Sequence, residues 1–358
     1  MFMNKQIEAP FISIVMPIRN EARFIRDTLG QLLAQDYPAG RYEIIVVDGI
    51  SDDGTQSIVG EAARTYPQIR LMDNPGRRSS AGRNIGFKNG RGDIYLVVDG
   101  HCYIPDVNLF NSIAECFEKS GADCLGRPQP LDPPGLTVFQ QAVALARCSK
   151  VGHGGDSLIY GEYEGFASPV SIGAAYRREV LQHIGFVDEN FDACEDLEFN
   201  FRVEKSGLKT YTSPKLTVRY YPREDLKGLL RQMIRYGRGR WRFIRKHPEA
   251  LTLNQIVPAA FVTGLLILMA LVCTGTLTFG FSIIFSHAGL LALSFLYGIY
   301  ILIIIIESLR IAARNGWIYL GYLPVIFFAI HFGLGWGFLR QALSSGCGLR
   351  TQDRVLNT

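Results

Sequence analysis

A chain of 358 residues with a formal net charge of +4 has room for one large soluble domain and a smaller appended unit, and its composition changes sharply near residue 256. Seven cysteines without any C-x-x-C spacing, one of them inside an apolar segment, argue against a disulfide framework or a zinc site. Met1–Pro10 carries Lys5 and Glu8 and lacks the apolar stretch and cleavage site of a signal peptide, so the globular part is expected to stay in the cytosol.

Phe11–Pro17 is a β-rich apolar run, and Asn20-Glu21 is expected to open a helix through Ile25, Leu29, Leu32 and Leu33. A second run, Glu43–Val47, stops at Asp48. Gly49–Thr55 is turn-rich, a helical pattern follows with Ile58 and Ala62, and Ile69–Met72 forms a third strand. Ser79 and Ser80 are placed to cap a helix reaching Asn89, and Gly90-Arg91-Gly92 resets the chain before the strand Ile94–Val98 that delivers Asp99. This alternation predicts right-handed crossovers and a parallel sheet, whose ligands bind beyond the carboxyl ends of the strands. Pro17, Asp48 and Asp99 all fall at such ends, so three loops are expected to converge on one crevice. From Cys124 to Gly173, the prolines Pro128, Pro130, Pro133 and Pro134 and the Gly-rich Gly152–Gly155 predict long loops, with one helix near Val138–Arg147. Arg177–Ile184 reads as a short helix, Glu195–Lys205 as a longer one, and Lys209–Thr212 and Leu216–Tyr221 as strands.

The apolar stretches Ile256–Ile306 and Trp317–Leu339 predict two or three membrane spans, at about 20 residues each. Ile256–Cys273 and about Ile284–Ile306 form a hairpin whose turn around Ser286-His287 lacks Lys and Arg and is therefore expected outside, while Arg310 and Arg314 return it to the cytosol. Trp317–Leu339 spans or lies re-entrant, and Gly333, Gly335 and Gly337 would let it pack closely on a neighbour, including one in an oligomer. The expected division is a catalytic domain at 1–222, a basic interfacial helix at 223–250, a membrane region at 251–340 and a polar tail at 341–358.

The chemistry concentrates at a few positions. In an extended chain Asp99 and His101 point to the same side and can present oxygen and nitrogen to one divalent cation, Mg2+ or Mn2+, whose shell phosphate oxygens complete; the imidazole leans the choice toward Mn2+. Asp48 can accept the imide N–H of uracil, whereas Asp52 and Asp53 read as first-turn acids of the next helix. Among Arg77, Arg78 and Arg83, the last is best placed to meet phosphate or base. Glu195-Asp196 begins a helix, and with that end facing the crevice Asp196 can take a proton from an acceptor hydroxyl. Arg223–Lys246 holds nine lysines and arginines with Leu226, Leu229, Leu230, Met233, Ile234, Trp241 and Ile244 at helical spacings, a pattern suited to the headgroup zone of a membrane. Anionic lipid is its simpler partner, and Gln232, Arg235, Arg238, Arg240 and Trp241 are candidates to close over a diphosphate. Nucleic acid is not expected, because this helix adjoins a membrane segment.

In their order and spacing, ISIVMPIRNE, VVDGISDDGT, GRNIGFKNGRGDIYLVVDGH and CEDLEFNFRV resemble the nucleotide-sugar-binding domain of family 2 glycosyltransferases with the GT-A fold. The subgroup most similar is the membrane-anchored bacterial exopolysaccharide type that includes succinoglycan glucosyltransferases, and the resemblance covers roughly residues 10–245. It implies a Rossmann-like mixed α/β sheet in which Pro17 and Glu21 border the nucleotide, Asp48 holds uracil and Arg83 supports the base or phosphates. It further implies that Asp99 is the metal-site acid of the D-x-D motif and Asp196, after Glu195, the catalytic base of the E-D motif. Two departures stand out: the paired acids after the second strand are Asp48-Gly49 here, and the D-x-D is Asp99-Gly100-His101. The Q-x-x-R-W signature of processive synthases is present only as Gln232-Met-Ile-Arg235-Tyr236, with Trp241 further on.

The reaction so implied is attack of an acceptor hydroxyl on the anomeric carbon of a UDP-sugar, with inversion and loss of UDP. The membrane segments point to a lipid-linked sugar as acceptor, at the cytosolic face of the inner membrane, in polysaccharide or glycoconjugate synthesis. Polyprenyl-phosphate glycosylation, as in dolichyl-phosphate mannose synthases, is the alternative enzyme, and a catalytically inactive scaffold of a polysaccharide assembly complex is the alternative of another class. Membrane lipids, a second copy of the chain and assembly proteins are the other candidate partners. Loops such as Tyr160–Ala175 carry no readable code for the donor sugar.

Overall fold

The apolar runs become strands β1 (Ile12–Ile18), β2 (Tyr42–Asp48), β3 (Ile69–Asp73) and β4 (Ile94–Val97), mutually parallel in the order β3-β2-β1-β4. β1 and β2 are buried along their whole length, as strands covered on both faces require. The crossovers run through helices α1 (Ile25–Leu33), α2 (Thr55–Thr65) and α3 (Ser79–Asn89). After β4 come β5 (Cys102–Tyr103), α4 (Leu109–Ser120), β6 (Cys124–Gly126), α5 (Val138–Cys148), α6 (Lys150–His153), β7 (Gly165–Phe166), β8 (Gly173–Arg177), α7 (Arg178–Ile184), α8 (Glu195–Lys205), β9 (Thr210–Thr212) and β10 (Arg219–Tyr220). Here the sheet turns mixed, because β8 lies antiparallel between β4 and β6, and β7 closes the edge antiparallel to β9. β5 and β10 form a separate antiparallel pair.

The computed structural model describes residues 8–153, 158–275 and 283–352, which form two compact units: 8–135 with 158–221, and 136–153 with 222–352. Residues 1–7, the second half of the Gly-rich stretch at 152–155 and the last residues of the expected tail lie outside the described residues.

In the first unit, alternate residues of β1 serve opposite faces. Ile12, Ile14 and Met16 join a core with Leu29, Phe110 and Phe117, whereas Val15 joins Phe87, Tyr176 and Phe199. On the second face α3 lies unusually close to β1. A Cβ at Gly86 would come 2.3 Å from Val15 Cγ1, and one at Gly82 would come 2.9 Å from Pro17 Cβ.

Several element ends differ from the sequence reading. α1 begins at Ile25, not at Asn20-Glu21, because Asn20 takes a left-handed backbone with φ +57°. Ser79 and Ser80 do not cap α3: Arg78 is the N-cap residue, and the Ser80 hydroxyl donates instead to the carbonyl of Phe191 at 2.7 Å. Asp52 and Asp53 precede α2 rather than opening it. Leu216–Tyr221 is strand only at Arg219–Tyr220, after a 3-10 turn at Pro214–Leu216.

Buried Glu43 on β2 ties the amino ends of three strands. Its carboxylate accepts from Ser13 Oγ at 2.7 Å, from the N–H of Arg91 at 2.8 Å and from Arg70 Nη1 at 2.9 Å. Burial would raise its pKa, but these donors outweigh it and hold the carboxyl below its ordinary 4.5. A depressed folded pKa means that the contribution is complete above the unfolded value and is lost as pH falls through the folded one. Glu43→Gln is therefore expected to cost about 2 kcal/mol near neutrality. Thermal unfolding at stepped pH checks this: the gap to wild type should narrow once pH falls below the ordinary glutamate value and close as it passes the lower folded one.

The second unit contains α9 (Leu226–Lys246), α10 (Leu253–Gly275), α11 (Ile283–Asn315) and α12 (Leu323–Gln352). Asp225 starts α9 by accepting from the N–H of Gly228 at 2.6 Å. Three stretches are long and apolar enough to cross a membrane: Leu253–Val272, Gly289–Asn315 and Leu323–Ser345. Protein buries 11 % and 6 % of the first two but 56 % of the third, so α12 is enclosed while α10 and α11 present apolar surface. The expected turn at Ser286-His287 lies inside α11, and the connection between α10 and α11 falls at 276–282, outside the described residues. Trp317–Gly321 is a 3-10 turn rather than the start of the last span, and α12 continues through residues expected in the polar tail.

The neighbours of the three glycines are inside this unit. A Cβ at Gly333 would meet Met233 Cβ at 2.6 Å, one at Gly337 would meet the Ile234 carbonyl oxygen at 2.0 Å, and one at Gly335 would meet that of Pro258 at 1.9 Å. The apolar face of the basic helix therefore packs on α12 of the same chain. Segment 136–153, expected within the catalytic domain, also joins this unit: Tyr319 Oη donates to Gln141 at 2.6 Å, and His331 Nε2 lies 2.9 Å from the Val151 carbonyl.

Candidate active site

Among the described residues, four non-glycines adopt a left-handed backbone: Asn20, Ile50, Arg77 and Cys194, at φ of +57°, +58°, +57° and +63°. The first three follow β1, β2 and β3, and the fourth precedes α8. Each costs on the order of 1–2 kcal/mol, more for β-branched Ile50, and such strain collects where loops must hold a shape.

The first two loops are sewn together. The N–H of Asn20 donates to Ser51 Oγ at 2.8 Å, that of Glu21 to Thr55 Oγ1 at 2.8 Å, and that of Ala22 to Asp53 Oδ2 at 3.0 Å. Slight burial would raise Asp53, but its bonds from Thr55 and Ala22 prevail and hold its carboxyl below the usual aspartate value. Asp48 is fully buried, with Oδ2 accepting from the N–H of Ser51 at 2.9 Å and Oδ1 from the Ser51 hydroxyl. Pro17 is buried behind Gly82, so the loops it introduces start from a fixed point.

At Asp99-Gly100-His101 the chain does not run extended; it bends at Gly100 and His101 before entering β5. The bend is held from behind, since Thr28 Oγ1 donates to the carbonyls of Gly100 at 2.8 Å and Cys102 at 3.1 Å. His101 turns its Nδ1 to Glu21 Oε1 at 2.8 Å, and its ring packs edge-on to Tyr220 with centroids 6.0 Å apart. Burial pushes the thiol of Cys102 and the phenol of Tyr220 upward in pKa, and the charge of Asp99 adds to both.

Arg83 is the electrostatic centre of the unit. Its Nε lies 3.7 Å from Glu195 Oε1, and both side chains are about one-tenth exposed, at 11 % and 9 %. Burial alone would favour the neutral guanidine, but Glu195, Asp196 and Asp99 together outweigh it and keep the guanidinium charged. Burial likewise raises Glu195, with Arg83 opposing that rise. Asp196 is exposed and accepts from the N–H of Leu197 at 2.8 Å. The positive end of α8 favours all the acids of its first turn.

α3 also places the loop before α8. Asn84 pairs with the backbone of Val187 in both directions, donating from Nδ2 at 2.8 Å and accepting at Oδ1 at 2.9 Å. Asn84 escaped the sequence reading and Ser80 entered it only as a helix cap, although a polar pair inside a helix of small residues is a legible signal. Arg127 escaped it without any signal. It is 3 % exposed, and it donates to the Val97 carbonyl at 2.8 Å and to Tyr220 Oη at 2.7 Å, bracing the strand end that carries Asp99.

Asp99 and His101 supply one carboxylate and one imidazole. Among the described residues no three His, Cys, Asp or Glu side chains gather into a metal-holding group. This small hard-and-borderline donor set fits a divalent cation that takes most of its shell from phosphate and water. Gln232, Arg235, Arg238, Arg240 and Trp241 belong to the second unit. There Arg238 Nε and Arg242 Nη2 donate to Gln341 at 3.3 Å each, Gln232 donates to Tyr236 Oη at 3.3 Å, and Trp241 stacks edge-on to Phe338 at 5.1 Å. Arg235 is exposed and Arg240 half-buried.

A sequence profile described as "Glycosyltransferase like family 2" matches residues 9–239, and one described as "Glycosyl transferase family group 2" matches residues 153–340. The chain is 33% identical over 249 residues to the succinoglycan biosynthesis protein ExoA of Rhizobium meliloti, covering 69% of this chain and 74% of that one. It is 27% identical over 338 residues to the dolichyl N-acetyl-alpha-D-glucosaminyl phosphate 3-beta-D-2,3-diacetamido-2,3-dideoxy-beta-D-glucuronosyltransferase of Methanococcus voltae, covering 92% and 96%. Among solved structures, the mannosyltransferase PcManGT of Pyrobaculum calidifontis, in complex with GDP-Man and Mn2+, superposes with a TM-score of 0.57 at 17% identity, covering 92% of this chain and 88% of that one. At that identity the likeness speaks to the fold, the mixed GT-A-like sheet with its flanking helices.

Proposed function

Since the chain belongs to glycosyltransferase family 2, we propose that it moves a sugar from a UDP-sugar, with inversion, onto a hydroxyl of a lipid-linked acceptor at the cytosolic face of a membrane. The observation that carries this reading is the charge cluster in which one buried guanidinium, Arg83, serves Glu195 and Asp196 at the start of α8 and Asp99 beyond β4. Two of these acids are adjacent yet differently placed, and that difference divides the work. Exposed Asp196 takes the proton of the acceptor hydroxyl as its oxygen attacks the anomeric carbon, and the bond from that carbon to the UDP oxygen breaks. One base and one displacement invert the centre. Buried Glu195 holds Arg83, and through it the start of α8.

Asp48, oriented by Ser51, receives the uracil imide, and Pro17 and Glu21 border the nucleotide. Asp99 and His101 would hold Mg2+ or Mn2+, which would supply positive charge beside the departing diphosphate. Arg235, Arg238, Arg240, Gln232 and Trp241 of α9 serve anionic headgroups. The three apolar helices support a membrane-borne acceptor, as does the Methanococcus voltae relative, named for a dolichyl-linked sugar phosphate. In this reading residues 1–222, apart from segment 136–153, carry the chemistry, 223–250 lie at the interface and 251–340 anchor the enzyme.

A screen of UDP-, GDP- and dTDP-sugars with the full chain and a membrane lipid extract tests the proposal. Turnover of a UDP-sugar with an inverted product linkage is the expected result, and Asp99→Ala should lower it by about 100-fold or more. A preference for GDP-mannose overturns the role of Asp48, and a retained anomeric configuration overturns that of Asp196.

A further inference from the structure

The contact between Glu21 and His101 joins residues 80 positions apart in the chain, at the one place where the metal-site triplet departs from two acids. Building on the assignment of Asp99 and His101 as cation ligands, we propose that Glu21 is a positioning residue that fixes the tautomer and direction of His101, so that Nε2 is the nitrogen offered to the cation.

The chemistry of imidazole sets the first step. Glu21 is an acceptor when ionised, so the Nδ1 facing it at 2.8 Å carries the proton and the ring lone pair resides on Nε2. A carboxylate behind the second nitrogen of a ligating histidine is the recurrent way to orient the ring and raise its basicity, and losing such a partner weakens metal binding about 10- to 100-fold.

The surroundings hold Glu21 as firmly as the ring. Its N–H is bound by Thr55 Oγ1 at 2.8 Å, and its carbonyl accepts from the N–H groups of Phe24 and Ile25 at 2.9 Å each. Its side chain lies across Gly100, where an added Cβ would come 2.8 Å from Glu21 Cγ and 3.1 Å from Glu21 Cβ, so a glycine between Asp99 and His101 gives the carboxylate its path. The imidazole is flanked by Tyr220 at 6.0 Å and Phe24 at 6.4 Å, and Tyr220 is itself held by Arg127 through its hydroxyl at 2.7 Å. The side chains of Glu21 and His101 are 16 % and 21 % exposed, which shields the pair from competing water.

The test is Mn2+ binding by the full chain in detergent with saturating UDP, read as the loss of the free Mn2+ signal in electron paramagnetic resonance. Pulsed measurements add the nitrogen modulation of a bound imidazole. Glu21→Ala should weaken Mn2+ about 10- to 100-fold and diminish that modulation, and Glu21→Gln, which keeps an acceptor oxygen, should recover most of the loss. In a His101→Ala background Glu21→Ala should cost nothing further. Unchanged Mn2+ affinity in Glu21→Ala, with His101→Ala impaired, overturns the role of Glu21 alone, as does an equal loss in both backgrounds. Unchanged affinity and modulation in His101→Ala overturn the ligand assignment on which it rests. Thermal unfolding of each variant separates these outcomes from misfolding, and Glu21→Met, which keeps the length of the side chain but has no acceptor oxygen, carries the test with the same expected loss if Glu21→Ala does not fold.

Discussion

Asp196→Asn is expected to lower sugar transfer about 100- to 10,000-fold while leaving UDP affinity and melting temperature unchanged. The amide keeps the shape of the carboxylate and still accepts the N–H of Leu197, but it cannot take a proton. Glu195 cannot substitute, because its carboxylate is buried and committed to Arg83 at 3.7 Å. The neighbouring substitution should behave in the opposite way. Glu195→Gln removes the nearest of the acids that face the buried guanidinium of Arg83, which is expected to cost about 3 kcal/mol of stability, seen as a fall in melting temperature. Initial rates of UDP release, calorimetric titration of UDP and thermal unfolding distinguish the two. Asp196→Asn keeping more than about a tenth of the wild-type rate would remove it from the base role.

A second large effect lies far from the chemistry. Gly337→Ala would set a methyl group 2.0 Å from the carbonyl oxygen of Ile234 and 2.8 Å from its carbon, where ordinary contact is 3.4–4 Å. The obstacle is backbone, so no side chain can swing aside. On the opposing helix a Cβ at Gly237 would come 2.1 Å from the Leu334 carbonyl oxygen, so the two helices interlock from both sides. Separating α9 from α12 should cost about 3 kcal/mol or more. Gly298→Ala on α11 is the control, since nothing lies within 4 Å of its added methyl group, and it should be neutral or mildly stabilising. Unfolding in detergent and the rate of proteolysis within Arg223–Lys246 provide the measurement, and a Gly337→Ala protein that melts with wild type refutes the interlock.

The parallel half of the sheet was legible because strands covered on both faces are continuous apolar runs that stop abruptly, as Val47 does at Asp48 and Val98 at Asp99. α8 was equally legible from the acids that open it and the basic residues that close it. The short strands β6, β7 and β8 were not. GAAYR has no β-branched residue, and its strand character comes from neighbours on both sides rather than from itself. The three acids of the charge cluster could be named one by one, but not the distribution of Arg83 among them, which depends on α3 approaching β1 through Gly82 and Gly86. Glu21 and His101 could each be singled out, yet their pairing across 80 residues has no local signature. The glycines of the last span announced close packing without revealing the partner, which is the basic helix of the same chain.

The partition of segment 136–153 bears on how the enzyme can be handled. The polypeptide passes from one unit to the other after residue 135, returns before 158 and leaves again after 221. Cutting the chain at 222 would free the catalytic part of its hydrophobic helices, yet α5 would stay behind with Ala142, Val143 and Ala146 stripped of the Leu229, Met233 and Phe327 cluster that covers them. A water-soluble fragment therefore needs a second excision, with a short polar linker joining 135 to 158. Without it, the recombinant domain would carry a sticky helix and be lost to aggregation for a reason unrelated to its active site.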